Sequence, residues 1–119
     1  MSLLTYQERA QSWLDPFFDA ETHQAIKSLA DQPKELEDRF YKDLEFGTGG
    51  MRGTMGVGTN RINRYTLGRN TQGLSNYLHQ CYPQTQIAVA IAYDCRHQSD
   101  TLAQVVAEVV SANNIKVYL

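Results

Sequence analysis

The sequence predicts an α/β fold, with an N-terminal helical segment at residues 1–45 and an α/β domain at residues 46–119. Two observations in the last third carry this. Ile87-Ala88-Val89-Ala90-Ile91-Ala92-Tyr93 is a continuous apolar run, the pattern of a strand covered on both faces. After a polar turn, Leu102, Val105, Val106, Val109 and Val110 recur at helical i, i+3, i+4 spacing, and Ile115 to Leu119 begins another strand. Strand, helix and strand in that order form a βαβ unit. The two strands are expected to run parallel, as neighbours or with one strand between them.

The remaining elements follow in chain order. Thr5 to Leu14 place Ala10, Trp13 and Leu14 on one helical face. Asp19 reads as the N-cap of a second helix, with Glu21 in the first turn and Ile26, Leu29 and Ala30 as its apolar stripe. Pro33 opens a third helix, where its missing N–H costs nothing. In that helix Leu36 and Phe40 form an i, i+4 apolar pair, and Glu35 can pair with Arg39 on the outside. Asp31, Glu35, Glu37, Asp38, Asp43 and Glu45 resemble a metal cluster only by number; their spacing suits a solvated helix face, and no metal site is expected here. Asn60 to Tyr65 reads as a polar connector. A helix is expected from about Thr66 to Tyr82, with Leu67, Leu74, Tyr77, Leu78 and Cys81 on one face and Pro83 ending it. Gly68 and Gly73 weaken that helix by roughly 1 kcal/mol each relative to Ala. His79 is placed at its surface near the C-terminus. Asn113-Asn114 closes the last helix, since Asn tolerates the left-handed conformation.

The chemistry concentrates in Phe46-Gly47-Thr48-Gly49-Gly50-Met51-Arg52-Gly53. So many glycines suit a sharply turning backbone or one that a ligand approaches closely. Exposed N–H groups and the planar fork of Arg52 would form a place for phosphate or carboxylate. Gly56, Gly58, Arg61 and Arg64 follow at once and favour the same reading. The alternative is a glycine-rich turn with a solvated arginine. The familiar nucleotide fingerprints fail on spacing: no Lys-Ser or Lys-Thr follows the glycines, and Arg52 stands where a dinucleotide motif needs its third glycine. A second candidate is the turn Asp94-Cys95-Arg96-His97-Gln98-Ser99, at the carboxyl end of the 87–93 strand, where open α/β sheets bind ligands. Ser99 could cap the following helix. Arg96 and His97 could reach a ligand, and Asp94 could orient Arg96. The alternative is a loop whose polar side chains satisfy only its own backbone.

Composition narrows the classes. The formal charge is −2 and well mixed, so no nucleic-acid surface is advertised. No apolar run approaches the roughly 20 residues that span a bilayer. No secretory leader is recognisable, and the expected compartment is the cytoplasm. Cys81 and Cys95 fit neither a zinc site nor a redox pair and are expected as free thiols.

Phe46 to Gly53, followed by Met55-Gly56-Val57-Gly58-Thr59-Asn60-Arg61, resembles the N-terminal signature of the α-D-phosphohexomutases, closest to their phosphoglucomutase/phosphomannomutase branch. Glu35-Leu36-Glu37-Asp38-Arg39-Phe40-Tyr41 and Tyr93-Asp94-Cys95-Arg96-His97-Gln98-Ser99 fit the same branch, so the resemblance runs from about Ala10 to the last residue. Many members carry Ser where Gly49 stands here, so any contact from that hydroxyl is absent. The resemblance implies that residues 46–119 are an incomplete first α/β domain, a three-layer αβα sandwich. It implies an isomerase that interconverts hexose 1-phosphate and hexose 6-phosphate through a phosphoserine, with Mg²⁺ and a glucose or mannose 1,6-bisphosphate activator. Arg52 would be the catalytic residue, and Thr48, Gly49, Gly50, Arg52 and Arg96 would contact substrate or phosphate. The family's Ser-His-Asn-Pro nucleophile, Asp-Gly-Asp-x-Asp metal loop, Glu-x-Ser-Gly sugar loop and C-terminal phosphate clamp are not in this sequence. The expectation is therefore an opening fragment, inactive alone, with its Mg²⁺ ligands outside it. Its expected partners are a phosphorylated hexose and the remainder of its own chain, with no nucleic acid or membrane. A second copy could pair with the strand edge at 115–119. The other classes are a small non-catalytic module that binds a phosphoanion and a purely structural or regulatory piece.

Overall fold

The computed structural model describes residues 5–47, 50–93 and 99–119. The chain divides into two compact units, Met1–Asn63 and Arg64–Leu119.

The first unit is built on helices α1 (Tyr6–Ser12), α2 (Ala20–Ser28) and α3 (Pro33–Phe40). Each starts where the chain chemistry asks for it. Thr5 Oγ1 accepts from the Glu8 N–H, Asp19 accepts from the Thr22 N–H, and Pro33 occupies the first turn of α3. α1 packs on α3. The apolar centre holds Ala10, Trp13, Ile26, Leu29 and the fully buried Phe40. Trp13 stacks on Phe18 at 4.6 Å between ring centroids and meets Phe40 edge-on at 5.5 Å, geometries favoured by the ring quadrupole. Two-residue strands β1 (Phe46–Gly47) and β2 (Gly50–Met51) then pair antiparallel, so the glycine block contains a minimal hairpin rather than turn alone.

The second unit contains α4 (Arg64–Cys81), β3 (Ala88–Ala90), α5 (Ser99–Ala112) and β4 (Lys116–Tyr118). β3 and β4 are parallel direct neighbours, with Val89 opposite Val117. This is the expected βαβ unit, and the chain is a mixed α/β structure with an incomplete sheet. Ile87, Val110 and Ile115 form the core, flanked by Leu78, Val89, Val106 and Val117. Asn114 takes φ of +61° to end α5, as expected. Three expectations are corrected. β3 is shorter than 87–93, and Ala88 and Ala90 are exposed while Ile87 is buried, so one face of the strand is covered among the described residues. α5 begins at Ser99, which makes Ser99 a helical residue rather than the cap. The buried side of α4 carries Thr66, Thr71 and Ser75, while Leu74 and Tyr77 are exposed. Small side chains win that face because α5 packs close: a Cβ on Gly68 would sit 3.9 Å from the methyls of Val105 and Val109. Thr71 and Ser75 bury their hydroxyls at no unpaired cost by donating to the carbonyls of Leu67 and Thr71, at 2.7 and 2.9 Å.

Candidate functional site

The hairpin sets Phe46 opposite Met51 and Gly47 opposite Gly50. Thr48 and Gly49, its connection and part of the expected phosphate contact, lie outside the described residues. Arg52 follows β2 directly and is exposed. Among the described residues it has no hydrogen-bond or ion-pair partner. The chain is fixed immediately after it. A Cβ on Gly53 would lie 2.8 Å from Leu44 Cδ1 and 3.6 Å from Ile62 Cγ1, so backbone is seated against those side chains. The Ile62 N–H then donates to the Thr54 carbonyl at 2.8 Å, and the Gly56 N–H donates to the Ile62 carbonyl at 3.1 Å.

The glycines and arginines beyond this point also tie the loop to α3. Gly56 and Gly58 bring the loop against Arg39 of α3. Gly58 has φ of +131°, and a Cβ there would be 2.5 Å from the Arg39 carbonyl oxygen. Residues 59–61 satisfy the orphan carbonyls at the end of α3. The Asn60 N–H donates to Arg39 O at 2.9 Å, the Asn60 amide to Asp38 O at 3.1 Å and Thr59 Oγ1 to Lys42 O at 2.7 Å. Arg61 is buried and ion-paired with Asp38, with Glu35 3.9 Å away. Its guanidinium also donates to the carbonyls of Asp38 and Asn60, at 3.4 and 3.0 Å. Arg39 binds Glu35 at 2.9 Å and the Val57 carbonyl at 3.2 Å. Asn63 closes the loop by donating to the Gly56 and Gly58 carbonyls at 2.8 and 3.0 Å.

The acidic residues of α3 are therefore not simply a solvated face: Glu35 and Asp38 neutralise Arg39 and Arg61. Among the described residues no group of three or more His, Cys, Asp or Glu side chains could hold a metal ion. In the second unit Arg64 lies over the Tyr65 ring at 4.9 Å. This leaves Arg52 as the arginine of the 46–64 stretch without an intramolecular partner among the described residues. Gly50 is in β2, with Met51 between it and Arg52. Arg96, with Asp94, Cys95 and His97, lies outside the described residues. Elsewhere, His79 Nε2 is 2.6 Å from the Asn113 carbonyl, and Cys81 is a free, exposed thiol. The hydrogen bond between Tyr77 and that thiol pushes the phenol above its ordinary pKa. The reading of the sequence took Arg61 as support for an anion site and Asp38 as part of a solvated face, and it missed their pairing and the loop closure by Asn63. The signal was present in Gly-x-Gly-x-Asn-Arg following an acidic helix end, but a glycine-flanked arginine reads equally as a ligand contact.

Residues 43–119 match the family model for phosphoglucomutase/phosphomannomutase, alpha/beta/alpha domain I. The chain belongs to the phosphoglucomutase/phosphomannomutase family. The match takes in the hairpin, Arg52, the loop that follows and the whole βαβ unit. Among curated relatives, a phosphoglucomutase of Staphylococcus haemolyticus (strain JCSC1435) is 40% identical over 83 residues, covering 70% of this chain and 15% of the relative. A phosphoglucomutase of Staphylococcus aureus (strain USA300) is 38% identical over 97 residues, covering 79% of this chain and 17% of the relative. The chain thus spans a small part of the length of the phosphoglucomutases it matches. No solved structure matches it significantly. Among the described residues no helix is long and apolar enough to cross a membrane.

Proposed function

We propose that this chain is the N-terminal part of a phosphohexomutase that interconverts hexose 1-phosphate and hexose 6-phosphate through a phosphoserine and a bisphosphorylated sugar, and that Arg52 supplies charge to the phosphoryl group in transfer. The observation that carries the reading is the state of Arg52. It is exposed, lacks a partner among the described residues, and stands between a paired hairpin and a backbone seat on Leu44 and Ile62. A transferring phosphoryl group spreads charge over its equatorial oxygens, and catalysis there is chiefly positioning and electrostatic stabilisation. A guanidinium offers two parallel N–H donors to two of those oxygens; an ammonium offers a point charge.

Thr48, Gly49 and Gly50 shape the backbone beside Arg52 in this reading, and Arg96 contributes a second phosphate contact. The nucleophilic serine and the Mg²⁺ ligands lie elsewhere than in the described residues, and the enzyme works in the cytoplasm. The experiment has two arms. The purified 119-residue chain is expected to show no mutase turnover with Mg²⁺ and sugar bisphosphate supplied, and in the complete enzyme Arg52→Lys is expected not to restore the activity lost in Arg52→Ala. Turnover by the 119-residue chain, or full activity of Arg52→Lys, would overturn the reading. Saturable binding of inorganic phosphate with no turnover from a complete enzyme would favour a non-catalytic phosphoanion module instead.

A further inference from the structure

We propose that Arg61, held by Asp38, is a positioning residue for Arg52: it fixes the backbone seat on which the exposed arginine stands. This rests on the reading of Arg52 given above. Arg61 is 9% exposed, and it gathers the Asp38 carboxylate and the carbonyls of Asp38 and Asn60 around one guanidinium. Those contacts tie residues 60–61 to the end of α3. The next residue, Ile62, carries the tie back toward the site: its N–H binds the Thr54 carbonyl, and its Cγ1 lies 3.6 Å from where a Cβ on Gly53 would stand. Thr54 and Gly53 are the two residues after Arg52. The path from Asp38 to Arg52 is thus a short run of hydrogen bonds that ends at Thr54, all within the first unit. Asn63 closes the loop around it through the Gly56 and Gly58 carbonyls, and Gly58 seats that loop on Arg39.

The charge pattern supports the same assignment. Arg39 and Arg61 face Glu35 and Asp38, two cations against two anions, so neither competes with Arg52 for an incoming phosphate. Lysine at 61 would keep the charge but could not reach the Asp38 carboxylate and two carbonyls from one planar group.

The test is a double-mutant cycle in the complete enzyme, with kcat and KM measured separately for Arg61→Lys, Arg52→Ala and the pair. Arg61→Lys is expected to lower kcat by about tenfold to a hundredfold, the scale of a small misplacement of a positioned group, with KM little changed. The double variant is expected to be no slower than Arg52→Ala alone, because Arg61 acts through Arg52. Equal losses from Arg61→Lys in both backgrounds, or no loss at all, would overturn the proposal. Asp38→Asn gives the same readout with the loop shape kept, should Arg61→Lys fail to fold. Amide exchange in the 119-residue chain separates this proposal from the one it rests on. Arg61→Lys is expected to speed exchange at Ile62 and Gly56 and leave α4 and α5 as they were. If Arg52→Ala proves fully active, the catalytic reading of Arg52 fails, and unchanged exchange at Ile62 and Gly56 would then overturn the clamp as well.

Discussion

One methyl group at Gly58 would disrupt the loop behind Arg52. The residue sits at φ of +131°, and a Cβ would meet the Arg39 carbonyl oxygen at 2.5 Å, a backbone atom that cannot swing aside. Gly58→Ala is expected to destabilise the first unit by about 1–3 kcal/mol or more, from left-handed strain and the clash together. Gly73 is the opposite case. It lies in α4 with nothing within 4 Å of an added Cβ. Gly73→Ala is expected to stabilise the second unit by up to about 1 kcal/mol, because a helical glycine gives up more backbone freedom than alanine. Urea titration of each variant, followed by circular dichroism, checks both signs. The glycines of the 50–58 stretch look alike in the sequence. Only the neighbour that each one faces separates a hairpin glycine from one that admits a helix end.

At the scale of elements, α4 shows where the sequence was legible and where it was not. Its existence and length followed from periodicity and from Pro83, and the observed helix extends from Arg64 to Cys81. Its buried face did not follow. Apolar counting selects Leu67, Leu74, Tyr77, Leu78 and Cys81, yet Leu74 is 41% and Tyr77 60% exposed while Ser75 is fully buried. Close helix packing selects for size before polarity, and a hydroxyl bonded to its own helix carbonyl behaves as a small apolar group. Leu74→Gln is accordingly expected to change stability by less than about 0.5 kcal/mol, and Ser75→Leu to cost about 1–3 kcal/mol by overpacking. A thermal scan that reversed this order would contradict the packing described. The parallel pairing of β3 with β4 was legible because strand, helix and strand leave little choice of direction. The caps at Asp19, Pro33 and Asn114 were legible because each is a local hydrogen-bond or dihedral requirement. The Arg61–Asp38 pair joins residues 23 apart and has no local signature.

For the whole molecule, the glycine-rich signature identified the family more securely than it identified its own ligand contacts. Of the arginines in the 46–64 stretch, Arg61 is buried and paired, while Arg52 is exposed and has no partner among the described residues. Among the described residues β3 and β4 each have one hydrogen-bonded neighbour, so the sheet offers unpaired edges. We propose that the 119-residue chain self-associates through such an edge, as unpaired strands do when nothing covers them. Light scattering over a range of concentrations is expected to show a rising mean mass; a constant monomer mass at high concentration would count against it. Turnover of the complete enzyme carrying Arg52→Ala tests the role of that guanidinium. A fall in kcat of about a hundredfold or more is expected, the loss seen when one preorganised charge-stabilising donor is removed, in a protein that unfolds like the parent. A folded Arg52→Ala enzyme with near-normal kcat would contradict it.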